Sequence, residues 1–158
     1  SHLAVLQGFD VVMLDGVQAV GPLVTGLHLG GRAFPYCTAV GKVLLACGPA
    51  ETLERYDREV VANGRLRTFT EKTVTDRDKL TLHLQQVRVQ GFALDLEECA
   101  AGVVCAAAPV FDSTSLLAAA IAVSAPASRV GPERLEGELA TKVMAAATAL
   151  SRRLGAPL

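Results

Sequence analysis

Apolar residues concentrate between Gly91 and Pro126, and their spacing there predicts the framework of the fold. Val103, Val104, Cys105 and Ala106 to Ala108 run almost without a polar break to Pro109, the pattern of a strand buried on both faces. Asp112 to Ser115 supplies turn chemistry, and Leu116 to Val123, small and β-branched before Pro126, reads as a second buried strand. The two predict an antiparallel hairpin at the centre of a sheet. Toward the N-terminus, Leu3 to Leu6 and Asp10 to Asp15 alternate around Gln7-Gly8-Phe9 as the strands of another hairpin. Val17 to Leu29 continues as strand material broken by Gly21-Pro22 and Gly26, with His28 read as a solvated strand position. Asp95, Glu97 and Glu98 form an acidic turn before the central hairpin, and Gly102 reads as a point of close backbone approach.

Helical spacing fills the remainder. Ala39 to Cys47 reads as a helix capped by Thr38 and stopped by Gly48-Pro49. Ala50 to Glu59 is a charged surface helix, and Asn63-Gly64 turns into a polar loop over Arg65 to Thr75. Thr75 and Asp78 resemble a capping box for a helix whose apolar face is Leu80, Leu84 and Val87, with Gly91 beyond its end. His83 falls beside that face as a packing residue. Gly131-Pro132 opens a last helix with Glu133, Glu136 and Glu138 in its early turns. Its stripe is Leu135, Leu139, Val143, Ala147, Leu150 and Leu154, with Arg152, Arg153 and Gly155 at its end.

The 158 residues suffice for one domain spanning 1–158 with a substantial core, and 51% of them are hydrophobic. No apolar run approaches the roughly 18 residues of a membrane span, so the excess apolar surface predicts burial against another subunit, at least a dimer. A net charge of −1 with scattered basic residues predicts that this piece does not itself grip nucleic acid. The cysteines, at 37, 47, 99 and 105, contain no CxxC and match no zinc spacing. They read as reduced thiols of a bacterial-type cytoplasm. No metal or cofactor is implied. Ser1-His2 reads as a vector-derived remnant, and the abrupt apolar start as that of a domain cut from a longer protein.

Two features carry candidate chemistry. If Thr38 caps the first helix, the amides of Ala39 and Val40 lack partners at the positive end of the helix dipole and make an anion site. Gly41-Lys42 is not a nucleotide loop, because Tyr36 stands where that pattern needs Gly and Val43 where it needs Ser or Thr. The second feature is the acidic turn leading into the apolar hairpin, which predicts one wall of a pocket. Cys105, taken alone, reads as a buried packing residue.

Three segments resemble the C-terminal effector-binding domain of the IclR family of bacterial transcriptional regulators: FPYCTAVGKVLLA (34–46), KLTLHLQQVRVQGFALDLEECAAGVVCAAAPVFD (79–112) and AIAVSAPASRV (120–130). The resemblance covers nearly the whole chain in order. It implies an α/β (α+β) fold, a GAF- or profilin-like curved antiparallel sheet flanked by helices. It implies a non-enzymatic cytoplasmic sensor that binds a small carboxylate metabolite, assembles as a dimer or tetramer, and acts on DNA through an N-terminal winged helix-turn-helix domain absent from this sequence. Position by position, the resemblance assigns ligand contacts to the Ala39 and Val40 amides, to Asp95 and Cys105, and to Ser124. Ala122 departs from it, standing where the family commonly has Ser, and Tyr36 replaces a common His. Two other classes stand beside this one: a cysteine-dependent enzyme using Cys105 or Cys99, and a purely oligomerising module.

Overall fold

The computed structural model describes residues 1–17 and 29–157. The expectations for His28 and for the strand material broken at Gly21-Pro22 and Gly26 lie outside the described residues. Among the described residues six strands form one sheet in the order β3-β2-β1-β6-β5-β4, every neighbour antiparallel. They are β1 (His2–Gln7), β2 (Asp10–Gly16), β3 (Arg32–Ala33), β4 (Ala93–Leu96), β5 (Val103–Phe111) and β6 (Leu117–Pro126). The predicted central hairpin is β5–β6, and the predicted N-terminal hairpin is β1–β2 with Gly8 at φ +62° in its turn. The register slips between Leu3 and Ala4 and between Val110 and Phe111. Such bulges sharpen strand twist and suit a sheet that curls into a half-barrel.

β5 is apolar on both faces because both faces are covered. Cys105 and Ala107, with Ala93, Ala120 and Ala122, pack in one core beneath α1 (Ala39–Cys47) and α3 (Arg77–Gln90). Val104, Ala106, Ala108 and Val110 pack in the opposite cores with the C-terminal helix. The run of alanines lets helices approach both sides of the same strand. Between α1 and α3 lies α2 (Ala50–Tyr56), continued by a π-helical turn over Asp57–Val61.

The C-terminal helix comprises α4 (Pro132–Arg134), a π-helical turn over Leu135–Leu139 and α5 (Ala140–Arg153). Pro132 opens it and Gly155 follows it at φ +85°, as the sequence predicts. The apolar stripe needs correction. Leu135, Val143 and Ala147 are buried as predicted, but the π turn inserts one extra residue and gives the next buried position to Ala140 instead of Leu139; Ser151 is buried too, while Leu139 and Leu150 are half-buried and Leu154 is exposed. Ser151 has a function in the packing. Its hydroxyl donates to Ala147 O at 2.8 Å and accepts the Phe111 amide at 2.9 Å, at the β5 bulge.

Two smaller expectations also change. Asp76, not Thr75, caps α3, its Oδ1 accepting the Lys79 amide at 2.9 Å. Gly102 has φ +77° with open space around its Cβ position, so it serves a left-handed turn rather than a close backbone approach. Leu80, Leu84 and Val87 form the buried face of α3, and Gly91 ends it at φ +79°.

Candidate ligand-binding site

Thr38 sets the start of α1. It is extended (φ −114°, ψ 145°), its Oγ1 accepts the Gly41 amide at 3.2 Å, and it donates to Phe34 O at 2.9 Å. A Cβ on Gly41 would overlap the backbone of Pro35. The glycine that resembles part of a nucleotide loop is there because the short 3₁₀ turn Pro35–Cys37 crosses directly over it. The Ala39 and Val40 amides in this first turn are capped by no described side chain, and both residues are almost wholly buried. An anion seated there would be shielded from water, where backbone donors act most strongly.

The facing wall comes from register. Asp95 of β4 stands opposite Cys105 of β5, which stands opposite Ser124 of β6. One row of three adjacent strands therefore carries all three, and Cys105 Sγ lies 3.0 Å from Ser124 Oγ. Ala122 belongs to the next row on the same face, opposite Ala107 on one side and His2 of β1 on the other. α1 packs across this face: Lys42 reaches Glu98, and the Cys37 thiol lies against Cys99 within the field of Asp95.

Asp95 does more than line the wall. Its Oδ1 accepts the Glu98 amide at 2.7 Å and so caps the acidic turn. Burial pushes its carboxyl up to about 6, against a lowering by the Glu98 amide. The turn is held in an unusual shape, Glu97 having φ +66°. A loop clamps it: Thr70 Oγ1 donates to Glu97 O and Thr73 Oγ1 to Glu98 O, both at 2.7 Å, while Lys72 pairs with Glu97 at 2.5 Å. The same loop is pinned at its other end, where Tyr36 Oη donates to Arg67 O at 2.6 Å and accepts the Arg67 amide at 2.8 Å. The residue that departs from the common His thus ties the loop to the helix start.

Three residues have roles at this face that the sequence reading does not give them. Glu98 is more than a member of the acidic turn. It is buried and paired with the equally buried Lys42 at 2.6 Å, and its Oε2 has no partner among the described residues. His2, whatever its origin, is part of the sheet. It pairs with Ala122 on the α1 side of the sheet, and burial lowers its imidazole to about 4, leaving it neutral. The two-residue period His2, Ala4, Leu6 was the available signal. Cys99 is the third, its thiol lowered by the hydrogen bond from Cys37. His83, as expected, is a half-buried packing residue, and burial followed by the charge of Lys42 lowers its imidazole.

Cys105 remains a neutral thiol, pushed up to about 12 by burial. Among the described residues no group of three or more His, Cys, Asp or Glu is arranged to hold a metal, and no helix is long and apolar enough to cross a membrane.

The family model "Bacterial transcriptional regulator IclR C-terminal" matches residues 1–152. The transcriptional regulator XynR of Escherichia coli is 36% identical over 161 aligned positions, covering 99% of this chain and 60% of XynR. The crystal structure of Thermotoga maritima IclR superposes with a TM-score of 0.83 at 31% identity, covering 98% of this chain and 60% of that one. The inducer-binding domain of the PobR transcription factor from Acinetobacter, solved as a double mutant with 3-hydroxybenzoic acid, gives 0.79 at 28% identity, covering 95% and 86%. The chain thus spans about three fifths of the length of XynR and of T. maritima IclR. With the sheet order, the helix start and the match over nearly its whole length in agreement, the chain belongs to the IclR family of bacterial transcriptional regulators, as their C-terminal domain.

Proposed function

We propose that residues 1–158 are a single sensing unit that binds a small organic acid and controls DNA binding by an N-terminal domain outside this sequence. The supporting observation is the pair of amides, Ala39 and Val40, that no described side chain caps at the start of α1, packed on the sheet face that carries Asp95, Cys105 and Ser124 in one row. The ligand carboxylate sits on the Ala39 and Val40 amides, Ser124 and Cys105 offer weak hydrogen bonds, and Asp95, its carboxyl raised by burial, faces the ligand. Ala122 supplies space instead of a second hydroxyl, which favours an acid with an aromatic or medium-chain body over glyoxylate or pyruvate. That PobR was solved with an aromatic acid supports this direction.

The regulator acts in the cytoplasm as a dimer or tetramer. Light scattering on this chain should give at least a dimer, and a monomer at micromolar concentration contradicts it. A thermal-shift screen of small organic acids tests the sensor, since a ligand that binds only the folded state raises its stability. An oligomerising module with no ligand gives no shift. A cysteine enzyme built on Cys105 is disfavoured because a nucleophile needs the thiolate, whereas Cys105 is held neutral; Cys99, whose thiol is lowered, is tested by its rate of reaction with a thiol reagent at neutral pH.

A further inference from the structure

A second concavity lies away from the Asp95 row. The strand β1 pairs His2 with Ala122 at one end, and Phe9 follows it at the other, five residue steps or about 17 Å along an extended strand. There the loop after Val61 folds back against the 3₁₀ turn and borders a half-open cavity of about 440 Å³. That is within the size range of small-molecule sites.

Its walls are aromatic. Phe9 meets Tyr56 edge to face at 5.5 Å, and Phe34 lies 6.0 Å from Tyr36. Tyr36 and Tyr56 are buried, but Phe34 keeps 39% of its surface exposed. The rim is basic. Arg65 and Arg67 line it, both exposed, and neither has a carboxylate partner among the described residues. The acid on the lining is Asp10, whose charge is offset by Arg32 at 2.7 Å. Arg67 is not loosely placed, since both its amide and its carbonyl are bound by the Tyr36 hydroxyl.

We propose that this cavity is a second binding site, for a small planar aromatic anion. The ring would lie against the exposed part of Phe34, where offset or edge-on contact is favourable, while the Phe9 ring already carries the Arg55 guanidinium at 5.5 Å. Its carboxylate or sulfonate would be taken by Arg65 and Arg67, whose planar guanidinium groups bind such anions in pairs of hydrogen bonds. An aromatic ring without charge leaves the arginines unmatched, and an anion without a ring leaves Phe34 in water. The proposal uses none of the residues assigned to the effector, so either can fail without the other.

The test is amide-shift mapping of the ¹⁵N-labelled chain with 4-fluorobenzoate and benzenesulfonate, alongside benzamide and cyclohexanecarboxylate. Saturable shifts are expected at Gly64, Arg65 and Arg67 with the two aromatic anions. They persist in Ser124→Ala and weaken about tenfold or more in Arg65→Gln/Arg67→Gln, as loss of charge-assisted bonds requires. Both arginines are exposed, so that variant keeps its fold. Three outcomes overturn the proposal: shifts confined to Ala39 and the Ser124 row, equal response to benzamide, or concentration-dependent broadening at Gly64 to Arg67 without any probe. The last would mean that a second copy covers the cavity.

Discussion

Beneath the C-terminal helix the sheet presents Val104, Ala106, Ala108, Val110 and Ala119, with Ile121 and Val123 partly buried beside them. The face beneath α1 has more buried alanines but also buries Asp95, Cys105, Lys42, Glu98 and Thr38. Burying charge stabilises little, because desolvation offsets attraction. Both faces carry apolar core, the larger on the α1 side, but only the second also carries buried charged groups that folding alone does not need. Substitutions on the two faces should separate stability from ligand response.

The largest effect belongs to the buried pair on the α1 face. Glu98→Ala strands the Lys42 ammonium 3% exposed, and loss of one partner of such a pair costs about 3–5 kcal/mol. Lys42→Met/Glu98→Leu should recover most of that in urea melts. If the double variant is no better than the single, the pair itself is stabilising and the contrast between the faces weakens. On the dry face, Leu135→Ala should cost about 2–5 kcal/mol by cavity formation, Leu135 being wholly buried. Ligand affinity should stay unchanged. Ser151→Ala should cost about 1–3 kcal/mol because the Phe111 amide loses its acceptor.

Asp95 makes the comparison depend on pH. Its folded value of about 6 lies above the ordinary 3.8, so the folded state holds the proton more tightly. The associated stability is fully present below about 3.8 and lost as pH rises through about 6, a difference of up to about 3 kcal/mol. Asp95→Asn keeps an oxygen for the Glu98 amide and removes the titration. Stability of the wild type relative to this variant should therefore fall between pH 4.5 and 7. His2, lowered to about 4, titrates in the opposite sense through the same window, which is why the difference between the two proteins is the quantity to measure. A pH-independent difference would show that Asp95 is not the buried acid argued here.

The sheet face was legible where period and burial agree. β5 and β6 follow from an unbroken apolar run bounded by turn residues, and α1 from Thr38 and Gly48-Pro49. The C-terminal stripe holds at Leu135, Val143 and Ala147 but not at Leu139, because a π turn adds a residue that no local pattern announces, and Ser151 looks polar until the Phe111 bulge gives it a partner. The site divides the same way. Ala39 and Val40 follow from capping rules, whereas Lys42 and Glu98 are 56 residues apart, and only the packing of α1 against the acidic turn makes them a pair. The roles given to Asp95, Cys105 and Ser124 came from resemblance, and what the fold adds is that strand register sets them side by side.

The smallest expected effect concerns Ala122, and it sharpens what the α1 face selects. Ala122 is 1% exposed, on the same strand face as Ser124 and next to the neutral His2. A Ser hydroxyl there would find His2 or the ligand as a partner, so Ala122→Ser should leave stability within about 1 kcal/mol. Its effect belongs to discrimination. With Ala, a compact polar acid such as glyoxylate gains no bond from this position and leaves space unfilled, while a benzoate-sized body fills it. With Ser, the small acid gains one neutral hydrogen bond, on the order of 1 kcal/mol, and the larger one loses room. The ratio of affinities for benzoate over glyoxylate, measured by competition on both proteins, should therefore fall by about tenfold. If the unmodified domain already prefers glyoxylate, the space at Ala122 does not set selectivity, and the neighbouring His2 becomes the next position to vary.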